Sequence, residues 1–124
     1  MRRVQRHVAV IDDDESVRES LPDLLRQHGY AAVAFASADQ FLATGRCRDF
    51  DCLILDIAMP GMSGPELQRE LGRRGETVPV IFITGHADTN VRATLRKEGA
   101  VDVLVKPFSA EDLLSALEAA LPPG

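Results

Sequence analysis

Short apolar runs alternate with stretches of helical spacing along the chain, and that alternation leaves few folds open. His7-Val8-Ala9-Val10-Ile11 is the first run, and Val17, Leu21, Leu24, Leu25 and His28 follow as one apolar stripe closed by Gly29. Ala31 to Phe35 is a second run. Ser37-Ala38-Asp39-Gln40 then opens a helix as a capping box, and Gly45 ends it near Ala43. Cys52 to Leu55 is a third run, leading through Asp56 into Pro60, Gly61 and Gly64. A second capping box, Ser63-Gly64-Pro65-Glu66, starts a helix that Leu67 and Leu71 carry to about Arg74, before Gly75. Val78 to Ile83 is a fourth strand, ending in Thr84-Gly85-His86. Ala87, Val91 and Leu95 stripe the helix after it, up to Gly99. Val101 to Val105 is a fifth strand, broken by Lys106-Pro107. Ser109 and Asp112 open a last helix, buried through Leu113, Leu114, Leu117 and Leu121.

A strand–helix unit repeated in this way implies a parallel sheet covered on both faces. With right-handed crossovers, the expected fold is α/β: a doubly wound (βα)5, flavodoxin-like sandwich whose five parallel strands run in the order 2-1-3-4-5. At 124 residues the chain makes one domain, 1–124, with 122–124 as a tail or the start of a linker.

No apolar run approaches the roughly 20 residues that cross a bilayer. The basic start, Met1 to Arg6, leads into a short strand and not into a signal-peptide apolar region, so a cytoplasmic protein is expected. Fourteen Lys and Arg against 19 Asp and Glu leave a net charge of −5, which argues against direct nucleic-acid binding. Arg2, Arg3 and Arg6 read as a solvated terminus. Cys47 and Cys52 lack the second close pair that zinc spacing requires, and read as free thiols.

In such a sheet the C-terminal strand ends share one rim, where ligands bind. Strand 1 delivers Asp12 and Asp13 to it, strand 3 Asp56, strand 4 Thr84 and strand 5 Lys106. Crowded carboxylates repel, so positive charge must compensate. Lys106 supplies one charge, and a hard divalent cation such as Mg²⁺, which prefers oxygen ligands and shares them with phosphate, would supply more. A nucleotide cradle is disfavoured, because the first βα loop is Asp12-Asp13-Asp14-Glu15 and carries no glycines. Asp56 beside a cation, with Thr84 and Lys106 in reach, is suited to forming an acyl phosphate.

These residues resemble the receiver domain of two-component response regulators over essentially the whole length. The resemblance rests on Asp12-Asp13, the run Asp56-Ile57-Ala58-Met59-Pro60-Gly61-Met62-Ser63-Gly64, Thr84 and Lys106-Pro107-Phe108. Ile83-Thr84-Gly85-His86-Ala87-Asp88 is similar to the FixJ subgroup. The resemblance implies that Asp56 is the phosphoacceptor for a sensor histidine kinase. It implies that Asp12, Asp13, Asp56 and the Ala58 carbonyl hold Mg²⁺, and that Thr84 and Lys106 meet the phosphoryl group. It also implies a cis Lys106–Pro107 peptide, a phosphorylation-dependent homodimer through the helix 4–strand 5–helix 5 face, and transcriptional output through a domain outside this chain. One position departs from the family. Val103 stands where receivers carry a switch Tyr or Phe, so the aromatic half of the Thr84–Val103 switch is in question.

Blander readings stand beside these. Asp14 and Glu15 read as caps of helix 1, Met59 and Met62 as loop packing, His86 as an exposed loop residue, and Arg69, Arg73 and Arg74 as a solvated face. The rival function is a constitutive receiver-fold interaction module that does not depend on phosphorylation. An enzyme of similar topology, an aspartyl-phosphate phosphatase, would need an Asp where Ala58 stands, so the chain is not expected to be an enzyme.

Overall fold

The computed structural model describes residues 5–85 and 89–121. Arg2, Arg3, His86, Ala87, Asp88 and the 122–124 tail lie outside the described residues. The elements are β1 (His7–Ile11), α1 (Glu15–Gln27), β2 (Ala31–Phe35), α2 (Ala38–Ala43), β3 (Cys52–Asp56), α3 (Gly64–Arg73), β4 (Val80–Thr84), α4 (Thr89–Lys97), β5 (Asp102–Val105) and α5 (Ala110–Ala120). A 3-10 turn, Cys47–Asp49, precedes β3. The five strands form one sheet in the order β2-β1-β3-β4-β5, every pairing parallel, as the alternation predicts.

Period-two alternation in the strands sorts the core into two layers. Ala9, Ile11, Leu53, Leu55, Phe82 and Val103 face Phe41 of α2, Leu67 and Leu71 of α3 and Leu95 of α4. Val8, Val10, Ile54, Ile81 and Ile83 face Leu21 and Leu25 of α1 and Leu113 and Leu117 of α5. β3 and β4 are buried along their whole length, because both faces are covered.

Local chemistry sets the helix starts. At Ser63 both halves of the capping box form: its Oγ accepts from the Glu66 N–H, and Glu66 Oε1 accepts from the Ser63 N–H. At Ser37 only one half forms. Its Oγ accepts from Gln40 N–H, while Gln40 Oε1 reaches one residue further and accepts from Ala36 N–H. Asp14 caps α1 by accepting from Ser16 N–H at 2.9 Å.

Some expectations need correction. β4 begins at Val80 and runs through Thr84, not from Val78 to Ile83, since Pro79 has no N–H to give a ladder. β5 begins at Asp102 rather than Val101. His28 is not part of the buried stripe of α1: it is the exposed C-cap residue, its Nδ1 3.0 Å from the Leu24 carbonyl. Val91 is 40% exposed on α4, whereas Leu95 is buried. Pro22 sits inside α1, buried beside Leu21 and Leu25, where packing outweighs the missing hydrogen bond.

Candidate functional site

Among the described residues, Asp12, Asp56 and Thr84 are the buried polar side chains, and all three stand at the C-terminal rim of the sheet. Asp12 follows β1 directly, Asp56 ends β3 and Thr84 ends β4. Lys106 follows β5, its N–H donating to the Thr84 carbonyl at 2.7 Å. The parallel register Asp56↔Ile83 and Thr84↔Val105 brings these ends level.

Asp12, Asp13 and Asp56 each offer a carboxylate oxygen within 4.8 Å of the others. Asp12 is completely buried and fastened at four atoms. Its N–H donates to the Phe35 carbonyl at 3.1 Å. Its Oδ1 accepts from Asp14 N–H at 2.9 Å, and its Oδ2 accepts from Lys106 Nζ at 3.0 Å. Its carbonyl accepts from Arg18 Nη1 at 3.1 Å. Asp13, by contrast, is exposed.

The electrostatics follow from this crowding. Burial, then the Asp12 charge, push the Asp56 carboxyl up to about 7 against the opposing pull of Lys106. Burial pulls the Lys106 ammonium down, but its hydrogen bond to Asp12 and the charges of Asp12 and Asp56 outweigh that and leave it above its ordinary range. One ammonium, bonded to Asp12, thus stands beside more acidic side chains than it can pair. The donor set, all hard oxygen at one rim with an excess of negative charge, fits a divalent cation of the Mg²⁺ type.

Ala58 is exposed in the turn beyond β3. Val103 is fully buried and pairs with Phe82 across the β4–β5 ladder, in the core layer that contains Leu95. The Lys106–Pro107 peptide is cis. Cys47 and Cys52 are both free thiols, and burial pushes Cys52 up to about 12.

Sequence reasoning passes over two residues here. Arg18 lies six positions after Asp12, in the first turns of α1, and helical side chains lean toward the N-terminus, which is the signal that could have found it. Gly64 packs against the main chain of Asp56, where any added Cβ would collide with the Asp56 carbonyl oxygen. Its place at the start of α3, just after a Pro-Gly turn, hides that contact.

Comparison with known proteins agrees with this architecture. The family model described as the response regulator receiver domain matches residues 8–118. The response regulator protein TodT of Pseudomonas putida is 45% identical over 114 residues, covering 92% of this chain and 50% of its own length. The transcriptional regulatory protein FixJ of Azorhizobium caulinodans is 45% identical over 114 residues, covering 92% of this chain and 54% of its own. Among solved structures, the response regulator StyR superposes with a TM-score of 0.87 at 43% identity, over 95% of this chain and 60% of that one. FixJ-N superposes with a TM-score of 0.84 at 39% identity, over 95% of this chain and 94% of that one. The chain spans about half the length of the curated relatives it matches.

Proposed function

The chain belongs to the response regulator receiver domain family, and from that premise we propose that it is a phosphorylation-controlled switch whose phosphoacceptor is Asp56. The observation that carries this reading is the meeting of Asp12, Asp13 and Asp56 oxygens within 4.8 Å, beside a lysine that reaches Asp12.

Receiver domains of response regulators interact with sensor histidine kinases, and the donor in this reading is the kinase's phosphohistidine. An Asp56 carboxylate oxygen attacks phosphorus and a P–O bond forms. The P–N bond to the imidazole breaks, and the electron pair leaves on the ring nitrogen, which takes up a proton. Asp12, Asp13, Asp56 and the Ala58 carbonyl would hold Mg²⁺, which would supply positive charge beside the phosphoryl oxygens. Lys106, tied to Asp12, supplies a second positive charge at the rim. The Thr84 hydroxyl donates to a phosphoryl oxygen once it arrives, and self-hydrolysis of the acyl phosphate resets the site.

The output reading rests on the α4–β5–α5 side. A cleft of about 460 Å³ opens there, lined by Arg92, Arg96, Asp102, Phe108 and Ser115 among others. A shift in a pre-existing equilibrium at that face favours a homodimer. The whole protein would then regulate transcription from the cytoplasm through an output domain outside this chain. This chain itself makes no nucleic-acid contact in that scheme, and no helix among the described residues is long and apolar enough to cross a membrane.

Val103 favours one rival, the constitutive module, because a sealed β-branched side chain cannot swing as a ring does. Incubation with a small acyl phosphate and Mg²⁺ separates the two. The switch predicts one added phosphate and a change of oligomeric size, neither in Asp56→Asn. Equal labelling of Asp56→Asn overturns the phosphoacceptor assignment, and labelling without any change in size or partner affinity favours the module.

A further inference from the structure

We propose that Arg18 is a positioning residue for the acidic site: by holding the Asp12 carbonyl it fixes the peptide from which Asp13 projects. The proposal builds on the metal-assisted reading above.

The three carboxylates are not held alike. Asp56 lies in a strand buried on both faces. The Asp12 carboxylate is held from both sides, by Asp14 N–H and by Lys106 Nζ. Asp13 is exposed, and among the described residues its carboxylate meets only another acid, the Asp56 carboxyl, and no cation or backbone N–H. Its place within 4.8 Å of the other two therefore rests on that one contact between acids and on its own backbone. That backbone leaves the sheet at this point, since the β1–β2 pairing ends at Ile11↔Phe35 and, among the described residues, no backbone N–H donates to the Asp12 carbonyl. A carbonyl on a fully buried residue needs a donor. Arg18 Nη1 provides it at 3.1 Å, from one helical turn beyond the Asp14 cap. The contact is made by one nitrogen to one oxygen, so a lysine ammonium can replace it, which a two-point arginine contact would not allow. A charged donor also makes a stronger hydrogen bond to that carbonyl than a neutral one would.

The test compares wild type, Arg18→Ala and Arg18→Lys. Metal-free protein is followed by amide hydrogen exchange and then titrated with MgCl₂. In Arg18→Ala the Asp14 amide, which donates to Asp12 Oδ1, exchanges faster while those of β1, β3 and β4 keep their wild-type protection, and the Mg²⁺ Kd rises on the order of tenfold, as for other outer-sphere supports. Arg18→Lys recovers most of both. Unchanged loop exchange in Arg18→Ala overturns the proposal, and so does faster exchange spread evenly through the strands, which marks a general structural role. If wild type itself binds no Mg²⁺, the metal reading fails on its own. The metal-free exchange still decides whether Arg18 holds the loop.

Discussion

Lys106 crosses the rim from β5 to β1 and places its Nζ 3.0 Å from Asp12 Oδ2, although β3 and β4 lie between those strands. The ammonium is thus committed to the most buried acid and not to Asp56, the residue it is expected to serve once a phosphoryl group arrives. A second positive charge at the rim would release it.

Removing that ammonium leaves the buried Asp12 carboxylate without its cationic partner, since Arg18 reaches only the Asp12 carbonyl. Lys106→Ala should lose about 2 kcal/mol of stability, less than for a fully buried pair because Lys106 is partly open to solvent. Urea unfolding in EDTA reads this directly. Added Mg²⁺ should return part of the loss, since a ligand bound only by the folded state stabilises it by about 2.7 kcal/mol at a hundredfold excess over Kd.

Asp56 gives the apoprotein an unusual pH profile. Its folded value of about 7 stands above the ordinary 3.8, so its contribution to stability is full below about 3.8 and is lost as pH rises through 7. Asp56→Asn removes the charge. In EDTA its Tm should exceed that of wild type at pH 8, and the gap should close toward pH 4. Mg²⁺ at pH 8 should raise the wild-type Tm more than that of Asp56→Asn. A variant no more stable than wild type at pH 8 would contradict the crowding of charges described above.

Two glycines in one helix should respond oppositely. A Cβ at Gly64 meets the Asp56 main chain and comes within 3.1 Å of Phe82 Cε1, so Gly64→Ala should cost about 1–3 kcal/mol and slow phosphorylation of the displaced Asp56. Gly72, also in α3, has open space around the same position, and Gly72→Ala should gain roughly 0.5–1 kcal/mol from helix propensity. Chemical denaturation of both variants gives the pair of values.

Val103 is sealed in the layer that contains Phe82, Leu95 and Ala100. Val103→Phe restores a ring at the cost of overpacking and should lose about 1–3 kcal/mol. If readout passes through the backbone of β4, α4 and β5, the variant should still change oligomeric size on phosphorylation. Size measurement with and without an acyl phosphate checks it.

Much of the fold was legible because the signals are local. A buried parallel strand reads as an unbroken apolar run, and β3 and β4 were visible as such; their exact ends were not, because Pro79 and the ladder partners set them. The caps at Ser63 and Asp14 were equally plain, each made by residues a few positions apart. The half-formed box at Ser37 and the exposure of His28 and Val91 escaped, since periodicity names a helix face but not what covers it.

For the site the division is sharper. The amino-acid order alone determined that Asp12, Asp13, Asp56, Thr84 and Lys106 stand at strand ends, because a strand followed by a turn places its last residues at one rim of any parallel sheet. Only the tertiary structure decided what each side chain touches there. That Lys106 takes Asp12, that Arg18 holds the Asp12 carbonyl and that Gly64 lies against Asp56 depend on distances between elements far apart in sequence. Those distances come from the packing of helices on the sheet, to which no single stretch of the chain holds the key.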